Sequence, residues 1–379
     1  EDVLSAKYAG GAEILKEMFS LQDQGKRKLG LRYDLTVPLA RVIGMNPQLK
    51  MPFKRYQIGE VFRDGPVSIG RYRQFIQCDV DVVGCKDMTA DAEIIALTVS
   101  AFSKLKLDIS LRVNNRKLLN SIMAYAGVSS DKIEDAILSI DKLEKFGKEK
   151  VVAELEGKGI SSESVKKLLD GLSTDGTNDE KLKKLSSLLE NKEGLEEIQK
   201  LIDICNVLKV DFVFDPSLAR GLAYYTGTIY ETFLKGSSIT SAVCSGGRYD
   251  EIIGQFLGKD SVPAVGISFG LDRMYDALVA RDTPTQKTVT EVFVIPIGTF
   301  SESLKIAEEL RSGGLKVEID LLSRGISKNL NYANSLGIPF VVFIGQKELD
   351  AGKVTLKDMV KGDEKMVAVK EISALISGN

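Results

Sequence analysis

The feature that most restricts this chain is a pair of long, closely spaced runs, KRYQIGEVFR (54–63) and RYRQFIQCDVDVVG (71–84), joined by DGPVSIG. Side chains on a strand alternate between two faces, and a short glycine- and proline-bearing connection predicts a long hairpin. On 71–84 one face carries Arg71, Arg73, Phe75, Gln77, Asp79 and Asp81. The other carries Tyr72, Gln74, Ile76, Cys78, Val80 and Val82, mostly apolar, and is expected to pack inward. A solvated sheet face has the same look. The graded order on the first face, from cations through an aromatic ring to acids, suits instead a ligand with an anionic and a cationic end. Arg63 closes the partner strand. Guanidinium forks match phosphate oxygens, and Phe75 offers a ring on which a base can stack.

Other segments fall into order around this hairpin. Leu29 to Arg32 reads as a strand, and a helix is expected from Val37 to Met45 with Pro38 in its first turn. TADAEIIALTVSAFSKL (89–105) is amphipathic at helical spacing. Residues 119–208 turn rich in Lys, Glu, Ser and Leu with apolar spacings of three and four, which predicts helices. They read as a module inserted between two halves of one domain, or as further helices of that domain. Strand signals return at 211–233, 240–248 and 263–269, and a helix follows from Leu271. VARDTPTQKTVTE (279–291) reads as a linker. After it, strand–helix alternation predicts a separate α/β domain with a largely parallel sheet. The expected divisions are 1–118, 119–208, 209–280, a linker at 281–290, and 291–379.

Charge and composition narrow the chemistry. The chain has 51 Lys and Arg against 53 Asp and Glu, a net charge of −2. Nucleic acid must therefore be met by local patches. Histidine is absent, and Cys78, Cys85, Cys205 and Cys244 form no CxxC pair; both facts argue against a zinc site, and scattered single cysteines suit a reducing cytosol. No run of apolar residues is long enough to span a membrane.

Four shorter segments add candidates. In ARGLAYYTGTIYET (219–232), Arg220 precedes Tyr224 and Tyr225, from which a strand is expected to run. Tyrosine hydroxyls orient a small polar substrate, and a fixed guanidinium stabilises charge on a reacting phosphate. In VPAVGISFGLDRMYDAL (262–278), Arg273 falls in a first helical turn, against the helix dipole. It is either a surface residue offset by Asp272 or a partner for an anionic or aromatic ligand. Gly246 and Gly247 in CSGGRYDEIIGQF (244–256) permit close backbone approach, or a plain turn. Asp34 in RYDLT (32–36) either caps the following helix or binds an ammonium.

In order along the chain, these segments resemble the histidyl-tRNA synthetases, a class II aminoacyl-tRNA synthetase family. RYQIGEVFRDGPVSIGRYRQFIQCDVDVVG is similar to class II motif 2 and AVGISFGLDRM to motif 3. ARGLAYYTG and SGGRYDEIIG resemble the two histidine-specific motifs. GISKNLNYANSLGIPFVVFIG and GKVTLKDM resemble the anticodon-binding domain. The resemblance implies an α+β catalytic domain on an antiparallel sheet, with a helical insertion, followed by an α/β anticodon-binding domain. It implies activation of L-histidine with ATP to histidyl-adenylate and transfer to tRNA(His).

Residue roles follow from the same resemblance. Arg63 meets the α-phosphate and the substrate carboxylate, and Arg220 stabilises α-phosphate charge. Phe75 and Arg273 sandwich adenine, with Arg71 also at ATP. Asp34, Thr36, Gln77 and Asp81 hold the α-amino group and neighbouring atoms, and Tyr224 and Tyr225 line the imidazole pocket. Mg²⁺ comes with ATP and no protein-only metal site is implied. A cytoplasmic homodimer with no membrane contact is expected.

The sequence departs from the family pattern at two points. Ala223 stands where the family usually has Asp. Motif 1, which builds the family's dimer interface, lies upstream of these segments, and a chain that starts at Glu1 without an initiator Met is expected to be a fragment or trimmed. Two relatives offer rival readings: a non-catalytic sensor of histidine or uncharged tRNA, and the regulatory subunit of ATP phosphoribosyltransferase. Retention of Arg63, Gln77, Asp81, Arg220, Tyr225 and Arg273 argues against the first, and residues 291–379 against the second. That last segment is near neutral, with 11 Lys and Arg against 12 Asp and Glu. Lys353, Lys357, Lys361 and Lys365 either meet phosphates or form a solvated loop.

Overall fold

The computed structural model describes residues 17–377 except Ile69, Thr174, 221–223, 259–260 and 282–286. Ala223 lies outside the described residues. The chain divides into two compact units, Glu1–Arg281 and Asp282–Asn379.

In the first unit a small pair, β1 (Ser20–Gln22) and β2 (Lys28–Gly30), precedes helix α1 (Thr36–Met45). Next come β3 (Phe53–Phe62), β4 (Gln74–Val83), α2 (Thr89–Lys104) and β5 (Ile109–Asn115). Helices α3 (Arg116–Tyr125), α4 (Ile133–Ile140), α5 (Leu143–Phe146), α6 (Lys148–Gly157), α7 (Ser162–Gly171), α8 (Asn178–Leu188) and α9 (Glu193–Leu208) follow. Strands β6 (Val213–Phe214), β7 (Thr228–Leu234) and β8 (Cys244–Arg248), helix α10 (Asp250–Leu257), β9 (Ala264–Gly270) and α11 (Leu271–Ala280) complete it.

Seven strands form one sheet in the order β3-β4-β9-β8-β7-β5-β6, antiparallel except for the β5–β6 pair. The hairpin is as the alternation predicts, with Phe53 opposite Val83 and Phe62 opposite Gln74. Strand β4 begins three residues later than expected, because Ser68 and Arg71 bridge within the loop. Arg73 therefore leaves the predicted face, its Nε donating to the Gly65 carbonyl at 3.3 Å and lying 3.6 Å from Asp64. Strand β7 likewise starts at Thr228, so the tyrosine pair sits in the approach to the strand rather than on it.

Helices α3 to α9 share one apolar core with the sheet: Phe102, Val113, Leu118, Ile122, Ile137, Leu155, Leu168, Ile198 and Phe269 belong to a single buried cluster. Local signals set their ends. Asn115 accepts the Lys117 amide at the start of α3, and Thr177 with Glu180 forms a capping box on α8.

Behind the sheet lies a buried polar knot. The Asp91 carboxylate on α2 is ion-paired with Arg248 and accepts from Thr228 and from the Tyr230 hydroxyl, the last at 2.7 Å. Asp91 is fully buried and Arg248 4% exposed. Because Arg248 follows Gly246 and Gly247 on β8, this knot holds the strand that carries them. Tyr230→Phe strips a hydroxyl from a buried carboxylate and is expected to cost about 1.5–3 kcal/mol. A lower urea midpoint at unchanged slope is the readout, and an unchanged midpoint refutes it.

The second unit has strands β10 (Val292–Ile297), β11 (Val317–Ile319), β12 (Phe340–Gly345), β13 (Val354–Asp358) and β14 (Glu364–Val367). They form a sheet ordered β11-β10-β12-β13-β14, flanked by α12 (Phe300–Ser312), α13 (Ile326–Leu336), α14 (Gln346–Asp350) and α15 (Ile372–Ser377). The β10 pairings are parallel, while β12–β13 and β13–β14 are antiparallel. The expected largely parallel sheet is thus mixed, because the chain after β12 returns through connections too short for a parallel crossover.

Candidate active site

The cleft is built on strand register. Across β3 and β4, Arg55 faces Asp81, Gln57 faces Asp79 and Gly59 faces Gln77. Across β4 and β9, Asp79 faces Ser268 and Asp81 faces Gly266, and Gly266 faces Gly247 on β8. Glycine leaves the floor open at both places. A Cβ on Gly266 would lie 2.1 Å from Asp81 Oδ1, and one on Gly247 2.8 Å from the Tyr225 ring. The absent side chains are what let a carboxylate and a phenol settle against the sheet.

Above this floor is a cavity of about 490 Å³. All the residues nominated from the sequence line it: Asp34, Thr36, Arg63, Arg71, Phe75, Gln77, Asp81, Arg220, Tyr224, Tyr225 and Arg273. They come from the loop before α1 and its first residue, the hairpin, the approach to β7, and the start of α11.

Four guanidinium groups converge on one side of the cavity. Arg63 lies over the Tyr33 ring at 4.2 Å and the Phe75 ring at 5.0 Å, a cation–π arrangement. Arg273 donates from Nε to the Gly70 carbonyl at 2.7 Å and to the Ala242 carbonyl. Burial lowers its affinity for its proton, and Arg71, Arg63 and Arg220 lower it further by repulsion. Arg220 is paired with Glu231 on β7. Burial opposes its charge most strongly, but the Glu231 carboxylate and the Tyr225 and Tyr224 phenols together outweigh that and keep it protonated. Such crowding of like charge makes this part of the cavity favourable for an anion.

Acids gather on the other side. Asp81 lies 2.9 Å from Arg55 and accepts from the Tyr249 hydroxyl; burial raises its pKa while Arg55 opposes the rise. Asp79 is 4.0 Å from the same guanidinium. Asp34 accepts the Val37 amide at 3.1 Å, so it caps α1 and also lines the cavity. Gln77 is held by its Nε2 donating to Ser268 at 2.9 Å. The Tyr224 and Tyr225 rings are 4.6 Å apart, and burial pushes both phenols up, so both remain neutral.

Several contributors escaped the sequence reading. Glu231 was readable as the next inward position along β7, and Arg55 as the residue the hairpin register sets against Asp81. Leu138 and Asp141, at the end of α4, reach the cavity from a helical stretch whose sequence carries no sign of it.

Comparison with known proteins bears on this arrangement. The family profile described as Histidyl-tRNA synthetase matches residues 2–274, and one described as Anticodon binding domain matches 291–379. Histidine–tRNA ligase 1 of Bacillus cereus is 46% identical over 377 residues, which is 98% of this chain and 88% of that protein. Histidine–tRNA ligase of Phocaeicola vulgatus is 40% identical over 358 residues, covering 92% and 78%. The crystal structure of histidyl-tRNA synthetase from Nostoc sp. superposes with a TM-score of 0.81 at 34% identity, covering 100% of this chain and 94% of that one. An ATP phosphoribosyltransferase regulatory subunit/histidyl-tRNA synthetase from Bacillus halodurans shares the fold at 21% identity and a TM-score of 0.70, over 84% and 81% of the two chains.

Proposed function

The chain belongs to the histidyl-tRNA synthetase family, and from that premise we propose how its cleft divides the work of one reaction. The protein is a histidine–tRNA ligase that activates histidine with ATP and transfers it to tRNA. The observation that carries the residue assignment is the grouping of charge along the cavity: Arg63, Arg71 and Arg220 lie close enough to Arg273 to repel its charge, and Asp34 and Asp81 close enough to Asp79 to do the same.

The amino acid lies with its ammonium toward Asp34, Thr36, Gln77 and Asp81, and its ring beside Tyr224 and Tyr225. Its carboxylate points to the arginines. Phe75 and Arg273 clamp the adenine, while Arg71 meets the phosphate chain. The carboxylate oxygen attacks the α-phosphorus in line, pyrophosphate leaves, and no side chain is acylated. Arg63 brings the two anions together, which otherwise repel. Arg220 neutralises charge that grows on the α-phosphate as the bond forms. In the second step a ribose hydroxyl of tRNA attacks the adenylate carbonyl and AMP departs. Mg²⁺ enters as the counter-ion of the ATP phosphates, part of the substrate.

Two further elements belong to the same proposal. Residues 291–379 bind the anticodon region. Two copies of the chain pair, and the edge strand β3 exposes Tyr56 and Ile58 (80% and 64%) as apolar surface for that purpose. No helix among the described residues is long and apolar enough to cross a membrane; a cytoplasmic location is proposed with the rest.

Histidine-dependent ATP–pyrophosphate exchange by the purified chain tests the reading. Exchange with histidine and none with other amino acids is expected. Histidine binding without exchange overturns the enzyme in favour of a sensor.

A further inference from the structure

Asp79 has no task in the chemistry just described. Its side chain shares the cleft face of β4 with Gln77 and Asp81, and it is 4% exposed. Its Oδ1 has no hydrogen-bond partner among the described residues. The nearest cation is spoken for: Arg55 sits 2.9 Å from Asp81 against 4.0 Å from Asp79, and also bonds Gln57 and the Leu35 carbonyl. The groups facing Asp79 from other elements are Ser268 on β9, whose side chain hydrogen-bonds the carboxyl and favours its charged form, Cys244 on β8, the phenols of Tyr225 and Tyr249, and Asp34. None of these is positive. Burial first, and the Asp81 charge second, push the Asp79 carboxyl up to about 7. One guanidinium thus serves two buried carboxylates, and Asp79, whose side chain lines the cavity, keeps a covered Oδ1 without a hydrogen bond among the described residues.

We propose that Asp79 is a recognition carboxylate for histidine that holds a proton at mildly acidic pH and releases it when a nitrogen of the amino acid arrives. The proposal rests on the histidine-activating function above and deepens it. The chemistry required is an N–H donor, which both the α-ammonium and the imidazole supply. The exchange balances: the carboxyl O–H breaks, its proton goes to buffer, and the carboxylate accepts from the ligand N–H. The direction with pH follows. Below about 7 the ligand must displace the Asp79 proton, so the Asp79 contribution to affinity rises as pH rises through that value and levels off above it; the imidazole of histidine titrates in the same range, so that contribution is read as the difference between the native chain and Asp79→Asn.

Calorimetric titration of the full chain with histidine at about pH 6, in two buffers of different protonation enthalpy, measures the protons released. Asp79→Asn is expected to release most of one proton fewer than the native chain. Its affinity for histidine should fall about 10- to 100-fold, with ATP affinity unchanged. Asp79→Ser is the second variant should the amide fail to fold. A titration with imidazole-4-propionate, which lacks the ammonium, assigns the donor: continued release points to the ring, lost release to the ammonium. Equal proton counts for native and variant, or native histidine affinity in either variant, overturns the proposal. If the native chain binds no histidine at all, it is the parent function that fails.

Discussion

Arg220→Ala slows histidine-dependent exchange by about 10²–10³, as loss of one preorganised group facing developing charge does elsewhere, while histidine affinity changes little. The asymmetry comes from position. Arg220 lines the cavity paired with Glu231, close to Arg273, whereas the proposed partners of the amino acid's ammonium are Asp34, Thr36, Gln77 and Asp81. An interaction made mainly in the transition state lowers kcat and kcat/KM together and leaves ground-state binding alone. Removal of Arg220 also strands Glu231 beside the phosphates. The double change Arg220→Ala with Glu231→Gln removes that repulsion and still exchanges well below the native rate. Stopped-flow or exchange kinetics at saturating ATP separate these cases, and near-native exchange in the single variant ends the assignment.

That prediction depends on residues brought together from distant segments, and the sequence carries only part of the reason they meet. Alternation along 71–84 reveals which side chains of β4 share a face, because the period of a strand is fixed by backbone geometry. It does not reveal where the strand begins. Arg71 still lines the cavity from the loop, but Arg73 is drawn outward to the Gly65 carbonyl. Strand order is a second blind spot. The neighbours of β4 are β3 and β9, and no local signal says that a strand nearly two hundred residues later will bring Ser268 and Gly266 beside Asp79 and Asp81. The two-sided charge of the pocket was legible, since opposite charges on one face point to a dipolar ligand. The single guanidinium shared by two acids was not, because it arises only from the register that sets Arg55 against Asp81. For the same reason Leu138 and Asp141 were invisible: the helical stretch reads as amphipathic packing, which says which face is buried and nothing of what its ends reach.

Truncation after Arg281 is expected to leave exchange within about twofold of native yet reduce kcat/KM for tRNA charging by about 10²–10⁴, the range lost when one of two tethered binding modules is removed. The first half of this expectation is a folding argument. The apolar clusters of the first unit are drawn wholly from residues between Tyr33 and Leu278, and those of the second from residues between Val292 and Ile376. Each unit thus has apolar clusters of its own among the described residues, and the first is expected to fold without the second. The second half is a binding argument. Residues 291–379 are near neutral, and Lys357 and Lys361 are already matched by Glu364 and Asp358. Counter-ion release is therefore expected to supply a small share of their affinity, with the rest from a second, fitted contact on the same tRNA. Charging at native efficiency by the truncated chain would remove the anticodon-binding role, and collapse of exchange would show that the catalytic unit depends on its neighbour.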